Sequence, residues 1–322
     1  MAVHARESVF AAAARGTVAS LNVSESKGTC KTPVSEVQVT ELGFAGDAHA
    51  GGWGRQVSLL SLESVGRFGG IVGKEYKPGD FAENITTMGL ALEKTALLDR
   101  FSAADVELEV TQLGKKCHGK GCAIFQGAGK CLMPTEGIFT RVRRGGTLRG
   151  GDEILHHPKR LRVRVITLSD RASRGVYEDR SGPRIVELLG SLFGGKPWEM
   201  DTDTRLLPDD PRLLDEELRG ACLDGLDAVF TTGGTGIGPR DWTPDVVTAM
   251  ADKTIPGIME AVRMKYGAEN PAALLSRSVA AVAGATLIYT LPGSVRAVEE
   301  YLGEIAKTFN HLLLTVHGID SH

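Results

Sequence analysis

Beyond Pro158 short apolar runs alternate with helix-like segments, and this alternation limits the possible folds more than any other feature of the chain. Residues 161–168, 227–231 and 286–291 read as buried strands, and another strand ends at 205–207. Residues 182–192, 210–222, 243–251, 258–266 and 272–279 read as helices, and 295–313 as a long last one. Pro183 stands early in its helix, where a missing N–H costs least. Leu213, Leu214 and Leu218 are expected on one side of the helix 210–222. Such alternation predicts an α/β three-layer domain with a mainly parallel sheet and helices on both faces.

The chain before Pro158 has a different texture. Residues 34–40 alternate in polarity, with Val37 and Val39 on one face, and so do Val106, Leu108 and Val110. Gly-rich turn clusters separate such strands, among them 43–54, 78–80 and 150–152. Helical signal is confined to 60–68. Many short strands between Gly-rich turns predict a β-barrel or a strongly bent sheet. The 322 residues suit two domains. The expected division is a tail at 1–15, a β-barrel-like domain at 16–157 and the α/β domain at 158–322. The basic run Lys159–Arg164 reads as a linker and solvated strand entrance, or as a phosphate-attracting rim.

The densest chemical signal follows the strand 227–231. Thr231-Thr232-Gly233-Gly234-Thr235-Gly236-Ile237-Gly238-Pro239-Arg240-Asp241-Trp242 runs into a helix opened by Thr243-Pro244. Open α/β sheets place ligands at the carboxyl ends of their strands. Glycines let the backbone approach an anion, and a helix N-terminus favours phosphate. The loop has no Gly-Lys-Ser/Thr, so it is not a Walker A loop, and Pro239 breaks the Gly-x-Gly-x-x-Gly pattern. The bland alternative is a tight connection without a ligand. Asp241, Asp245 and Asp209 add carboxylates suited to Mg²⁺, which takes one or two carboxylates plus substrate phosphates. Asp209 also reads as an ordinary N-cap, and Asp245 as an acid in a helix's first turn.

This loop resembles that of the molybdopterin adenylyltransferases. The resemblance extends through Ser169-Asp170-Arg171-Ala172-Ser173, the Leu-Pro-Asp ending at Asp209, Pro256-Gly257 with Glu260 and Arg263, Leu275-Ser276-Arg277, and Leu291-Pro292-Gly293-Ser294. It implies a trimer that transfers AMP from ATP to molybdopterin with Mg²⁺ present. It implies that Asp209 and Asp241 are the essential acids, holding Mg²⁺ or positioning nucleotide. The backbone of Gly233, Gly234, Thr235 and Gly236 would take phosphate. Ser276, Arg277 and Ser294 would touch pterin or phosphates. Ser169, Asp170, Thr243, Asp245, Pro292 and Gly293 complete the implied binding set. Glu260 either binds nucleotide or pairs with Arg263.

The first half carries Cys117-His118-Gly119-Lys120-Gly121-Cys122 and then Cys131, a C-x4-C-x8-C spacing. Structural zinc favours tighter knuckles and four ligands. Lys115, Lys116 and Lys120 favour a thiolate at a neighbouring cysteine, suited to sulfur or a soft metal. Small buried residues are the bland alternative. Gly46-Asp47-Ala48-His49, Arg55-Gln56-Val57, Pro78-Gly79-Asp80 with Glu83-Asn84, and Glu136-Gly137-Ile138-Phe139 make this half resemble the MOSC domain. That resemblance implies a β-barrel-like fold and a reactive thiol at Cys117 that handles sulfur or molybdenum. Asp47, His49 and Arg55 either line its pocket or form an ion pair that fixes the turn.

The net charge of −3 does not favour nucleic acid, and no apolar run reaches the roughly 20 residues of a membrane span. Arg6, Glu7 and Arg15 interrupt the early alanines, so no secretory signal is expected. Five cysteines, an odd number and mostly clustered, suit a reducing cytoplasm better than a disulfide scaffold. The two resemblances together imply molybdenum cofactor biosynthesis, with a molybdenum-insertion enzyme or a molybdoenzyme as downstream partner. A non-catalytic cofactor carrier, or another nucleotide pyrophosphatase on the same fold, are the rival readings.

Overall fold

A computed structural model describes residues 14–116, 131–193 and 197–319. The chain forms two units, Met1–Lys159 and Arg160–His322.

The first unit is built from β1 (Ala14–Val23), β2 (Thr32–Val34), β3 (Glu36–Thr40), β4 (Gly43–Phe44), β5 (Val57–Ser61), β6 (Ile85–Met88), β7 (Arg100–Ala103), β8 (Val106–Leu113), β9 (Ile138–Arg144), β10 (Gly146–Arg149) and β11 (Glu153–His157). Seven of them run in the order β11-β7-β8-β9-β5-β6-β1, and β1 pairs back onto β11 to close a barrel. Only β5 and β6 pair in parallel around it. Closure leaves no edge exposed. Inward residues such as Val18, Leu21, Leu59, Phe101, Leu108 and Ile154 fill the interior. A separate three-stranded sheet, β10-β3-β4, buries Val37 and Val39 and exposes Glu36, Gln38 and Thr40, which alternate with them. The expected helix at 60–68 is Leu62–Val72. Leu60 belongs to buried β5, Ser61 caps the helix, and Gly73 ends it in the left-handed region.

The second unit has β12 (Arg160–Leu168), β13 (Glu199–Leu207), β14 (Ala228–Thr232), β15 (Lys253–Thr254), β16 (Ala280–Ala283) and β17 (Thr286–Leu291), in the order β13-β12-β14-β17-β16-β15. The first four in that order are parallel, whereas β16 pairs antiparallel with both of its neighbours, β17 and β15, so the sheet is mixed. Helices cover both faces. Pro211–Leu223 and Thr243–Met250 bring Leu214, Leu218 and Val247 against Ile166, Val229 and Ile288. On the other face Phe309, from helix Val295–Val316, packs on Phe193, Phe230 and Tyr289. Strands buried on both faces explain the continuous apolar runs.

Two expectations fail locally. Leu213 is 38% exposed and lies off the buried stripe of Leu214 and Leu218. The helix expected over 272–279 is a 3₁₀ segment, Pro271–Leu275. Val279 and Thr290 exchange hydrogen bonds, and β16 then pairs with β17. Sheet pairing overrides the helix preference of this alanine-rich run.

Candidate functional site

β12 sits inside the parallel part of the sheet, with the next strand, β13, on one side and β14 on the other. The connection therefore reverses direction at β12. At such a switch point the loops leaving neighbouring strands splay apart and open a crevice at the carboxyl ends. Ser169 and Asp170 follow β12, Asp209 follows β13, the glycine loop follows β14, and Pro292, Gly293 and Ser294 follow β17.

The glycine loop is shaped by close approach. Gly233 has φ +102°, and a Cβ there would collide with the Leu168 carbonyl oxygen. Gly293 packs against the same glycine. Thr243 ties the loop down, its hydroxyl donating to the Gly233 carbonyl at 3.0 Å and its N–H to Gly234 at 3.2 Å. Gly233 N–H is spent on Leu291. The next four N–H groups, at Gly234, Thr235, Gly236 and Ile237, find no protein acceptor among the described residues. A run of unspent N–H groups at a strand's carboxyl end is an anion cradle.

Asp209 and Asp170 form one reciprocal pair. Asp170 N–H donates to the Asp209 carboxylate at 3.0 Å, and Asp209 N–H to that of Asp170 at 3.2 Å. The N-cap of helix Pro211–Leu223 is Asp210, which accepts from Arg212 and Leu213. The capping role considered for Asp209 thus belongs to its neighbour. Asp241 lies elsewhere: its carboxylate accepts Gly238 N–H at 2.8 Å and closes the turn 238–241. No hydrogen bond joins Asp209 to Asp241 among the described residues. Arg240 links the two groups through an ion pair with Asp170. The sequence reading did not select Arg240, although it is the one cation between the loop glycines and Asp241.

Other expected contacts are committed inside the protein. Arg277 donates to the Gly236 and Asp241 carbonyls and to both carboxylate oxygens of Asp245. It clamps the loop to helix Thr243–Met250. The Ser276 hydroxyl meets Tyr301 and Ser278, Ser294 caps the last helix, and Ser169 pairs with Tyr177. Arg263 turns to the carbonyls of Ser276 and Ser278, and Glu260 is exposed without an ion pair among the described residues. An open depression of about 430 Å³ lies beside the loop between Ile237, Pro239, Trp242, Asp241 and Arg277.

In the first unit Cys117 and Cys122 lie outside the described residues. Cys131 packs at the cluster of Leu60, Phe68, Phe81 and Phe139. Asp47 forms a fully buried ion pair with Lys31 at 2.5 Å and accepts N–H bonds from Ser24 and His49. Burial opposes its charge, yet bonds from His49 and Lys31 hold its carboxyl below the usual range. Lys31 escaped the sequence reading because its partner lies 16 residues away with no local pattern. His49 stacks on Trp53, and Arg55 lies 5.0 Å over the same ring. Buried Glu83 accepts from Gly79 N–H and the Thr86 hydroxyl, both at 2.7 Å, and its other oxygen has no partner. Among the described residues no group of three or more His, Cys, Asp or Glu side chains is placed to hold a metal ion, and no helix is long and apolar enough to cross a membrane.

Residues 164–311 match the family described as "Probable molybdopterin binding domain", and residues 46–155 match the MOSC domain. A molybdopterin adenylyltransferase of Escherichia coli K12 is 37% identical over 161 residues, covering 49% of this chain and 80% of that protein. The molybdenum cofactor biosynthesis bifunctional protein of Synechococcus elongatus is 35% identical over 156 residues, covering 48% of this chain and 47% of that protein. Among solved structures, the tungsten cofactor synthesizing protein MoaB of Pyrococcus furiosus aligns at 35% identity over 49% of this chain and 98% of its own, with a TM-score of 0.44.

Proposed function

We propose, for a chain that belongs through its second half to the molybdopterin adenylyltransferase family and carries a MOSC domain in its first, that the second unit transfers AMP from ATP to molybdopterin. The terminal phosphate of molybdopterin attacks the α-phosphorus of ATP, and pyrophosphate leaves. The observation that carries this reading is the row of unspent N–H groups at Gly234–Ile237, set where the strand connection reverses.

The reaction asks the protein for alignment and charge balance more than for covalent chemistry. The loop N–H groups hold phosphate oxygens, and Arg277 with Thr243 keeps the loop in shape. The donor set fits Mg²⁺: Asp209 and Asp170 bring two adjacent carboxylates that would hold the ion together with substrate phosphates. Mg²⁺, when bound there, offsets the repulsion between the two phosphate chains and favours departure of pyrophosphate. Asp241 shapes the turn that presents the loop. Ile237 and Trp242 offer apolar surface beside it for a flat heterocycle. In the first unit, Cys117 is proposed as the thiolate that carries or sulfurates the cofactor. The proposal extends to a homotrimeric assembly in the cytoplasm, and to a molybdenum-insertion enzyme or molybdoenzyme as recipient.

Incubation with ATP, Mg²⁺ and molybdopterin tests this reading. Adenylylated pterin with equimolar pyrophosphate is expected. Pterin that binds but stays unmodified would establish a carrier, and ATP cleavage that ignores pterin would establish a pyrophosphatase.

A further inference from the structure

Two arginines reach the crevice, and they are not equivalent. Arg277 has donors on all three guanidinium nitrogens engaged by loop carbonyls and Asp245. Removing it from those partners would release the loop it clamps. Arg240 has one ion-pair partner, Asp170, and its side chain is 62% exposed where that of Asp170 is 14% exposed. Its neighbour Asp241 is fixed by the turn 238–241, so the backbone that carries Arg240 is held while its side chain projects outward.

The partner itself is informative. Asp170 is one of the two carboxylates at the ends of β12 and β13, and it holds Asp209 N–H through its other oxygen. Solvent screens this pair from its arginine side, which is mostly exposed, and holding it costs the long Arg240 side chain its freedom, so it contributes little. A guanidinium on a polyphosphate makes stronger, forked hydrogen bonds to an anion of higher charge. Exchange of one anion for the other therefore costs little and gains more.

We propose that Arg240 is the exchangeable phosphate ligand of this site: it leaves Asp170 for the pyrophosphate portion of the nucleotide, so that Asp170 and pyrophosphate compete for one guanidinium. The exchange also frees the Asp170 carboxylate for a cation when phosphate arrives. This deepens the nucleotide-transfer reading and rests on it.

The test is calorimetric titration of the full-length protein with inorganic pyrophosphate, without Mg²⁺, at fixed ionic strength. Arg240→Ala is expected to weaken binding about 10-fold or more, a loss of one forked charge-assisted contact. Asp170→Asn keeps an acceptor for Asp209 N–H and removes the competitor, so it is expected to tighten binding several-fold. The double variant decides the matter. If Asp170 acts by competing for Arg240, the gain from Asp170→Asn disappears once Arg240 is alanine. If Asp170 merely repels the anion, the gain survives in both backgrounds, and the exchange is overturned. Binding by Arg240→Ala equal to wild type, with circular dichroism unchanged, overturns it as well. Wild-type protein that binds neither pyrophosphate nor Mg-ATP overturns the nucleotide reading and this inference together. Wild-type binding with an additive double variant overturns this inference alone.

Discussion

Asp209 and Asp241 have the same side chain and different partners, and the partners separate their roles. Asp209→Asn keeps an oxygen for Asp170 N–H and loses the charge proposed to hold Mg²⁺. Adenylyl transfer is expected to fall by about 10²-fold, near 3 kcal/mol of lost transition-state stabilisation, with little change in melting temperature. Single-turnover product formation measures it, and full turnover by a folded Asp209→Asn would sink the Mg²⁺ role. Asp241→Asn keeps an oxygen for Gly238 N–H and also loses one charge beside the loop. A comparable fall there would give Asp241 a part in catalysis beyond holding the turn. Glu83 makes a different residue-scale test. Burial raises its pKa, against bonds from Gly79 and Thr86. The folded state then holds a proton that the unfolded chain releases above its ordinary value of 4.5. Stability falls as pH rises from there towards the folded pKa, and stays lowered above it. Glu83→Gln removes that penalty and keeps an acceptor. Its melting temperature is expected to exceed that of wild type at pH 8 and to match wild type near pH 4. Equal differences at both pH values would rule out ionisation as the cause. An ion pair at Asp47 was among the expected readings, but its partner Lys31 was not legible beforehand, nor was the Asp170–Asp209 pair. Such pairs join residues 16 and 39 positions apart, and spacing carries no signal across a fold.

At the scale of elements the glycine loop was legible because everything it needs is contiguous: a buried strand, small residues and a helix start. The alanine-rich stretch after Pro271 was not, because its strand exists only by pairing with β17. The same contrast predicts opposite effects of one substitution. Gly233→Ala places a methyl group against the Leu168 carbonyl at a left-handed φ, so the loop must leave the end of β12. A loss of about 2 kcal/mol or more is expected, with weakened pyrophosphate binding. Gly303 lies exposed in the middle of helix Val295–Val316, with nothing within 4 Å of an added Cβ. Gly303→Ala is expected to stabilise by roughly 0.5–1 kcal/mol, since alanine loses less backbone entropy in a helix. Denaturant midpoints of the two variants should move in opposite directions. Midpoints that both fall would show that the outer face of the last helix is covered in the assembled protein.

For the whole molecule, the change of texture near Pro158 foretold two units, whereas barrel closure needed the pairing of β1 with β11, from opposite ends of the first unit. Each unit completes its own sheet and buries its own core. Differential scanning calorimetry of the full chain is therefore expected to resolve two transitions. Mg-ATP binds only the folded second unit in this reading, so it stabilises that unit by mass action. At 100 times its Kd the gain is about 2.7 kcal/mol, or roughly 5–10 °C for a domain of this length. The other transition should stay in place. Glu83→Gln at pH 8 provides the reciprocal control, because it belongs to the barrel and should move only the transition that ATP leaves alone. A single transition that shifts as one body with ATP would mean that the two units unfold together. Two transitions, neither moved by saturating Mg-ATP, would remove nucleotide from the account of the second unit.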